Sequence, residues 1–114
     1  MDRPVSYPLW VFKIILASIL ALTGVAVFAA QDSTVFTYDG QDFIRVQTTM
    51  ATEDGKSAVN TKLDRDSPVF QALVQKRSYT GDATIFGQNY EAYYAPLTDE
   101  GGQLTGALFV GIKK

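Results

Sequence analysis

At 114 residues the chain has room for one small domain, and its 46% hydrophobic and 12% aromatic content fits a folded chain rather than a disordered one. A formal charge of −2 argues against nucleic-acid binding, which needs a basic face. With neither Cys nor His there is no disulfide, no thiolate metal site, no thiol nucleophile and no imidazole-based triad, and nothing implies a cofactor.

The first element is an uncharged, mostly apolar run over residues 14–28, preceded by Arg3 and Lys13 and followed by Asp32. A basic start, a short apolar core and a small-residue exit at Val27-Phe28-Ala29 describe a secretory signal peptide cleaved after Ala29. Adding Trp10, Val11 and Phe12, with Lys13 snorkelling, describes instead an uncleaved N-terminal hydrophobic helix that anchors the chain in the inner membrane through residues 10–30. A buried core helix is the bland reading, and no partner face for so uniform a run is visible. Under the two membrane readings Asp32 onward lies outside the cytoplasm, because the positive residues stay inside. The chain therefore divides into a targeting segment, 1–30, and a folded domain, 34–113.

Within that domain, residues 34–38 and 43–49 flank Asp39-Gly40, a strong hairpin signal. The second run is rich in β-branched residues. Its period of two places Phe43, Arg45, Gln47 and Thr49 on one face, with Ile44, Val46 and Thr48 on the other. A polar, turn-rich stretch, 50–66, follows as a long loop with a short extended piece over 58–63. A loop of that length in a small domain is usually functional or mobile. Ser67-Pro68 then opens a helix, with Ser67 as its cap and Pro68 in its first turn. Val69, Phe70, Leu73 and Val74 form its apolar stripe, and Lys76 and Arg77 suit the negative pole at its end.

Three strands complete the domain. Runs 82–86 and 90–97 are separated by Gly87-Gln88-Asn89, and 104–112 follows the turn cluster Asp99-Glu100-Gly101-Gly102. The last run carries apolar groups on both faces, with Leu104, Leu108, Val110 and Ile112 on one side and Ala107 and Phe109 on the other, so it is expected at the centre of the sheet. The predicted fold class is α+β: a five-stranded antiparallel PAS-like sheet with one helix between strands 2 and 3.

The ordered set Asp39-Gly40, Phe43-Ile44-Arg45-Val46 with Thr48-Thr49, Glu53-Asp54-Gly55-Lys56, Thr61-Lys62-Leu63-Asp64, Ser67-Pro68-Val69, Tyr79-Thr80-Gly81, Phe86-Gly87, Tyr90, Tyr94, Pro96 and Gly106-Ala107-Leu108-Phe109-Val110-Gly111 resembles a Cache domain, nearest to the Cache three/two fusion type. The resemblance implies an extracytoplasmic sensing module of the kind found in bacterial chemoreceptors and sensor kinases. It covers residues 35–111. Full Cache domains begin with a long helix packed along the sheet, whereas here only about four residues separate the apolar run from the first strand. Up to Lys114 there is no second apolar span and no signalling region, so the likeness is to the receptor end alone. A homodimer or a membrane transducer is the partner this implies.

Arg45 is the leading ligand-binding candidate. It lies mid-strand among apolar neighbours, and a guanidinium there offers a planar fork of donors suited to a carboxylate. In the resembling sensors this position lies near the ligand pocket. The plain alternative is an exposed strand arginine, or an ion pair with Asp82 or Glu91. Thr49, on the same face of a regular strand, adds a hydroxyl donor; Thr48 points away unless a bulge intervenes. Tyr79, Tyr90 and Tyr94 form the second group. Tyr90 and Tyr94 are four apart on one strand, hence on one face, and supply an apolar wall ending in hydroxyls. Ordinary aromatic packing is their alternative role. The acids at Glu53-Asp54 and Asp64-Arg65-Asp66 lack the alternating ligands of a calcium loop and read as solvated charges.

The expected function is sensing of a small anionic molecule, an organic acid or amino acid, by recognition rather than turnover. A structural or interaction module that has lost its pocket is the rival. An enzyme would need a convergent carboxylate pair, and none is visible.

Overall fold

The computed structural model describes residues 31–114. The signal peptide or anchor expected over 1–30 lies outside the described residues.

The elements run β1 (Gln31–Tyr38), β2 (Phe43–Thr48), α1 (Pro68–Val74), β3 (Tyr79–Ile85), β4 (Gln88–Thr98) and β5 (Leu104–Lys113). They form one antiparallel sheet in the order β2-β1-β5-β4-β3, with the helix between β2 and β3 and β5 at the centre, as expected. Alternation divides β5 between two faces: Ala107 and Phe109 enter the main core, while Leu108 joins Leu97 and Val35 on the reverse side. Both sets are buried, which is why this strand reads apolar throughout.

The β1–β2 connection is a loop over 39–42, organised by the Asp39 carboxylate. That carboxylate accepts from the amides of Gln41 (2.8 Å) and Asp42 (2.7 Å), and those bonds hold its pKa below the ordinary value. Beyond the loop, Phe43 packs against Tyr38, Phe36 and Phe70, with ring centroids 4.6, 6.3 and 5.6 Å away. The helix thus covers the end of the sheet nearest that loop. Ser67 caps it, its hydroxyl accepting from the Phe70 amide at 3.1 Å, and Val69, Phe70 and Leu73 are its buried stripe.

Lys76 and Arg77 do not close a last helical turn as expected. The helix stops at Val74, and Lys76 turns left-handed (φ 62°). Its amide donates to Leu73 O and that of Arg77 to Ala72 O, both at 2.9 Å. This pairing satisfies the terminal carbonyls by backbone, so the two cations are not needed there.

Two other boundaries differ from expectation. β3 and β4 are joined by Phe86-Gly87, not by Gly87-Gln88-Asn89, because Gln88 already pairs with Ile85 across the ladder. Both turn residues are left-handed (φ 50° and 77°), the conformation whose twist matches a two-residue hairpin. In β5, a register irregularity opposite Leu97 and Thr98 turns Leu104 towards the main core and away from the Leu108 side.

The long polar stretch is less free than its composition suggests. Its extended piece runs along the outer edge of β2: the Arg45 amide donates to Thr61 O, the Leu63 amide to Phe43 O, and the Asn60 amide to Arg45 O. This covers what would be an open sheet edge. Met50, Ala58 and Leu63 anchor the loop in the core. The buried carboxylate of Asp42 pins its far end, taking both Nε (2.7 Å) and Nη2 (2.8 Å) of Arg65, with Lys62 at 3.4 Å. The Arg65 fork holds the Asp42 pKa down at about 2.

Candidate functional site

Arg45 projects from β2 onto the core face. It is 4% exposed. Its Cζ lies 5.1 Å from the ring centroid of Phe36 and 4.8 Å from that of Phe86, so the guanidinium is held between two rings. Nη1 donates to Thr61 Oγ1 and to Lys62 O, both at 3.0 Å. Nε is buried with no acceptor. No acid pairs with Arg45 among the described residues: Asp82 binds Lys114, and Glu91 accepts from the Tyr93 hydroxyl. Desolvation pulls the Arg45 pKa down, and the adjacent Tyr94 hydroxyl opposes this. A buried cation with an idle donor is costly to maintain.

The second component is a cleft of about 470 Å³ at the opposite end of the strands from Asp42, lined by residues that include Asp32, Thr49, Met50, Glu53, Phe86 and Tyr90. Asp32 is its polar centre. Thr49 Oγ1 donates to Asp32 Oδ1 at 2.7 Å, and the Tyr90 hydroxyl donates to Asp32 Oδ2 at 2.6 Å. Burial, then the bond to Asp32, drives the Tyr90 pKa upward, so the phenol stays protonated and its donor role is fixed. Two hydroxyls, one just past the end of β2 and one on β4, thereby orient one carboxylate, whose remaining lone pairs suit an ammonium or other donor. Gly111 lies beneath this corner. A Cβ there would stand 2.3 Å from Phe109 Cζ and 2.9 Å from Tyr90 Cδ1, so glycine gives Tyr90 its place.

Thr49 reaches the cleft by a route that strand periodicity misses. Phe36 pairs with Arg45 and Val35 with Gln47, leaving Val46 as an extra, bulged residue, 39% exposed. Beyond the bulge the faces exchange. Thr48, expected to point away, turns to the Arg45 side and meets Thr34 Oγ1 at 2.7 Å. Thr49 sits past the strand end, where its hydroxyl accepts from the Ser33 amide at 3.0 Å as well as donating to Asp32.

Of the five residues singled out from the sequence, Thr49 and Tyr90 share the cleft, and Arg45 lies one ring behind its wall, covered by Phe86. Tyr94 is deeper in the core, 4.8 Å from Phe109 and 6.3 Å from Phe36; burial raises its pKa while Arg45 draws it back. Tyr79 packs edge-on to Tyr94 at 6.3 Å and donates its hydroxyl to Asp82 O at 3.1 Å, away from the cleft.

Asp32 and Phe86 are the residues that sequence reading passed over. Asp32 shares the face of Thr34 and Phe36 by the period of two, which was the available signal. Phe86 is found only once the hairpin turn is assigned. As a bulky residue at φ 50° it carries backbone strain of about 1–3 kcal/mol. Its ring contact with Arg45 offsets part of that, at about 0.5–2 kcal/mol. At the neighbouring Gly87 it is the left-handed backbone (φ 77°) that favours glycine, since the Glu53 Oε2 a Cβ would meet at 2.9 Å ends a flexible side chain that can move aside.

Comparison with known families agrees with this architecture. The model of the Cache 3/Cache 2 fusion domain matches residues 17–114. No curated protein and no solved structure matches the chain. The chain belongs to the Cache 3/Cache 2 fusion family, and Cache domains are extracellular sensing domains of signalling proteins.

Proposed function

From that membership we propose that the chain is the extracytoplasmic receptor end of a membrane signalling system, and that it binds a small carboxylate-bearing metabolite, an organic acid or an amino acid. The observation that carries the ligand class is Arg45, an almost fully buried guanidinium with no acid partner among the described residues and an unpartnered Nε, one ring away from a cleft. A carboxylate satisfies such a fork with charge-assisted bonds. An amino acid uses the site most fully, because Asp32, fixed by Thr49 and Tyr90, is ready to accept from its ammonium. The mechanism is recognition without turnover. Ligand binding biases two arrangements of the domain by its differential affinity for them, and a membrane transducer or a second copy reads that bias.

A thermal-shift screen of short carboxylates and amino acids tests this reading. A true ligand raises the melting temperature with concentration as mass action requires, by about 2.7 kcal/mol of stability at a hundredfold excess over Kd. The response disappears in Arg45→Met. If no carboxylate at millimolar concentration moves the melting temperature, the ligand reading fails, and a module that keeps the fold without a pocket takes its place.

A further inference from the structure

We propose that Phe86 decides whether the Asp32–Thr49–Tyr90 cleft reaches Arg45, covering the guanidinium in the free domain and moving aside to admit an anionic group. The inference rests on the sensing function proposed above and assigns to one residue the control of that same site.

Four observations converge on Phe86. It belongs to both halves of the site, lining the cleft and stacking on the guanidinium. It is placed where movement is local, at the tip of a two-residue hairpin whose ladder ends at the Ile85–Gln88 pair. Its left-handed backbone, imposed by the two-residue turn, is one that phenylalanine adopts at a cost, and the ring contact with Arg45 offsets part of that cost. The guanidinium beneath it is left incomplete: Nη1 donates to Thr61 and Lys62, while Nε is buried and idle. A carboxylate arriving through the cleft supplies the missing acceptor, and the ring that has been standing in for it is released. The closed state thus keeps a desolvated cation from attracting bulk anions, while the open state gives that cation to a ligand small enough to enter the cleft.

Phe86→Asn separates cover from scaffold, because Asn-Gly is the preferred pair for this turn and removes the strain together with the ring. The measurement is modification of Arg45 in the native full chain by phenylglyoxal, read by peptide mass spectrometry, with the exposed Arg77 as internal reference. In the wild type Arg45 labels slowly relative to Arg77. In Phe86→Asn its rate rises by about tenfold or more, as expected when a local opening cost is removed, while the melting temperature holds or increases. Labelling at the wild-type rate would show that Phe86 is not the barrier, and labelling that rises only with a falling melting temperature would show general loosening; either overturns the proposal. Glutamate and succinate form a separate arm. Fast labelling that neither compound slows supports the role of Phe86 in access and overturns the ligand class instead.

Discussion

The two ends of the core face handle charge in opposite ways. At the end covered by the helix, Asp42 is buried but fully paired: both oxygens meet the Arg65 fork, and Lys62 adds a third contact. Towards the cleft, Arg45 is equally buried but meets no acid among the described residues, and Asp32 is held by two neutral hydroxyls, with Lys113 lining the same cleft but forming no ion pair with it among those residues. The first arrangement is complete in itself and fastens a loop. The second is incomplete in both signs of charge, and that incompleteness is what a binding site requires and a structural clamp avoids.

The contrast is sharpest under core truncation. Phe43→Ala, at a fully buried position of the closed end, lowers stability by about 3–5 kcal/mol, measurable by urea unfolding. An unchanged midpoint would mean that this end is not the stabilising one. Acid titration is the next test. The Asp42 pKa is depressed when folded, so its pairing stabilises above the ordinary carboxylate value of 3.8 and is lost as pH falls towards about 2. In Asp42→Asn that part of the acid dependence is absent, and the melting temperature at neutral pH is lower. If both chains follow the same acid curve, the Asp42–Arg65 clamp contributes nothing. At the open end the effects on stability are small and those on binding large. Tyr90→Phe removes one donor to Asp32 and costs about 1 kcal/mol of stability, with a weaker response to amino acids than to simple carboxylates. Arg45→Met changes stability least, to within about 1 kcal/mol, because an apolar side chain replaces a desolvated, half-satisfied cation. A large loss in that variant would place Arg45 among the residues that hold the fold, on the Asp42 side of the comparison.

Much of the scaffold was readable from local chemistry. The Ser67-Pro68 start, the apolar stripe through Leu73 and the two-faced character of β5 each follow from spacing and propensity, and the structure contains all three. Site geometry was readable only in part. Arg45, Thr49 and Tyr90 were identifiable as candidates, but not the way they are divided. One extra residue at Val46 exchanges the faces of Thr48 and the strand end, and periodicity cannot see a bulge that exists only in the pairing with β1. The Phe86-Gly87 turn was hidden because a phenylalanine is a poor left-handed residue by itself. Its ring finds Arg45 only across the core, 41 positions away in sequence.

Sequence alone therefore determined the order of strands and helix, the central place of β5, the absence of thiol and imidazole chemistry, and the choice of a cationic side chain on β2, because each depends on residue type and near-neighbour spacing. Only the tertiary structure decided that this cation meets no acid among the described residues, that a hairpin-tip ring covers it, and that the hydroxyls of Thr49 and Tyr90 gather on Asp32. These are relations between residues far apart in the chain, and they are fixed by sheet register and burial, which no local pattern encodes.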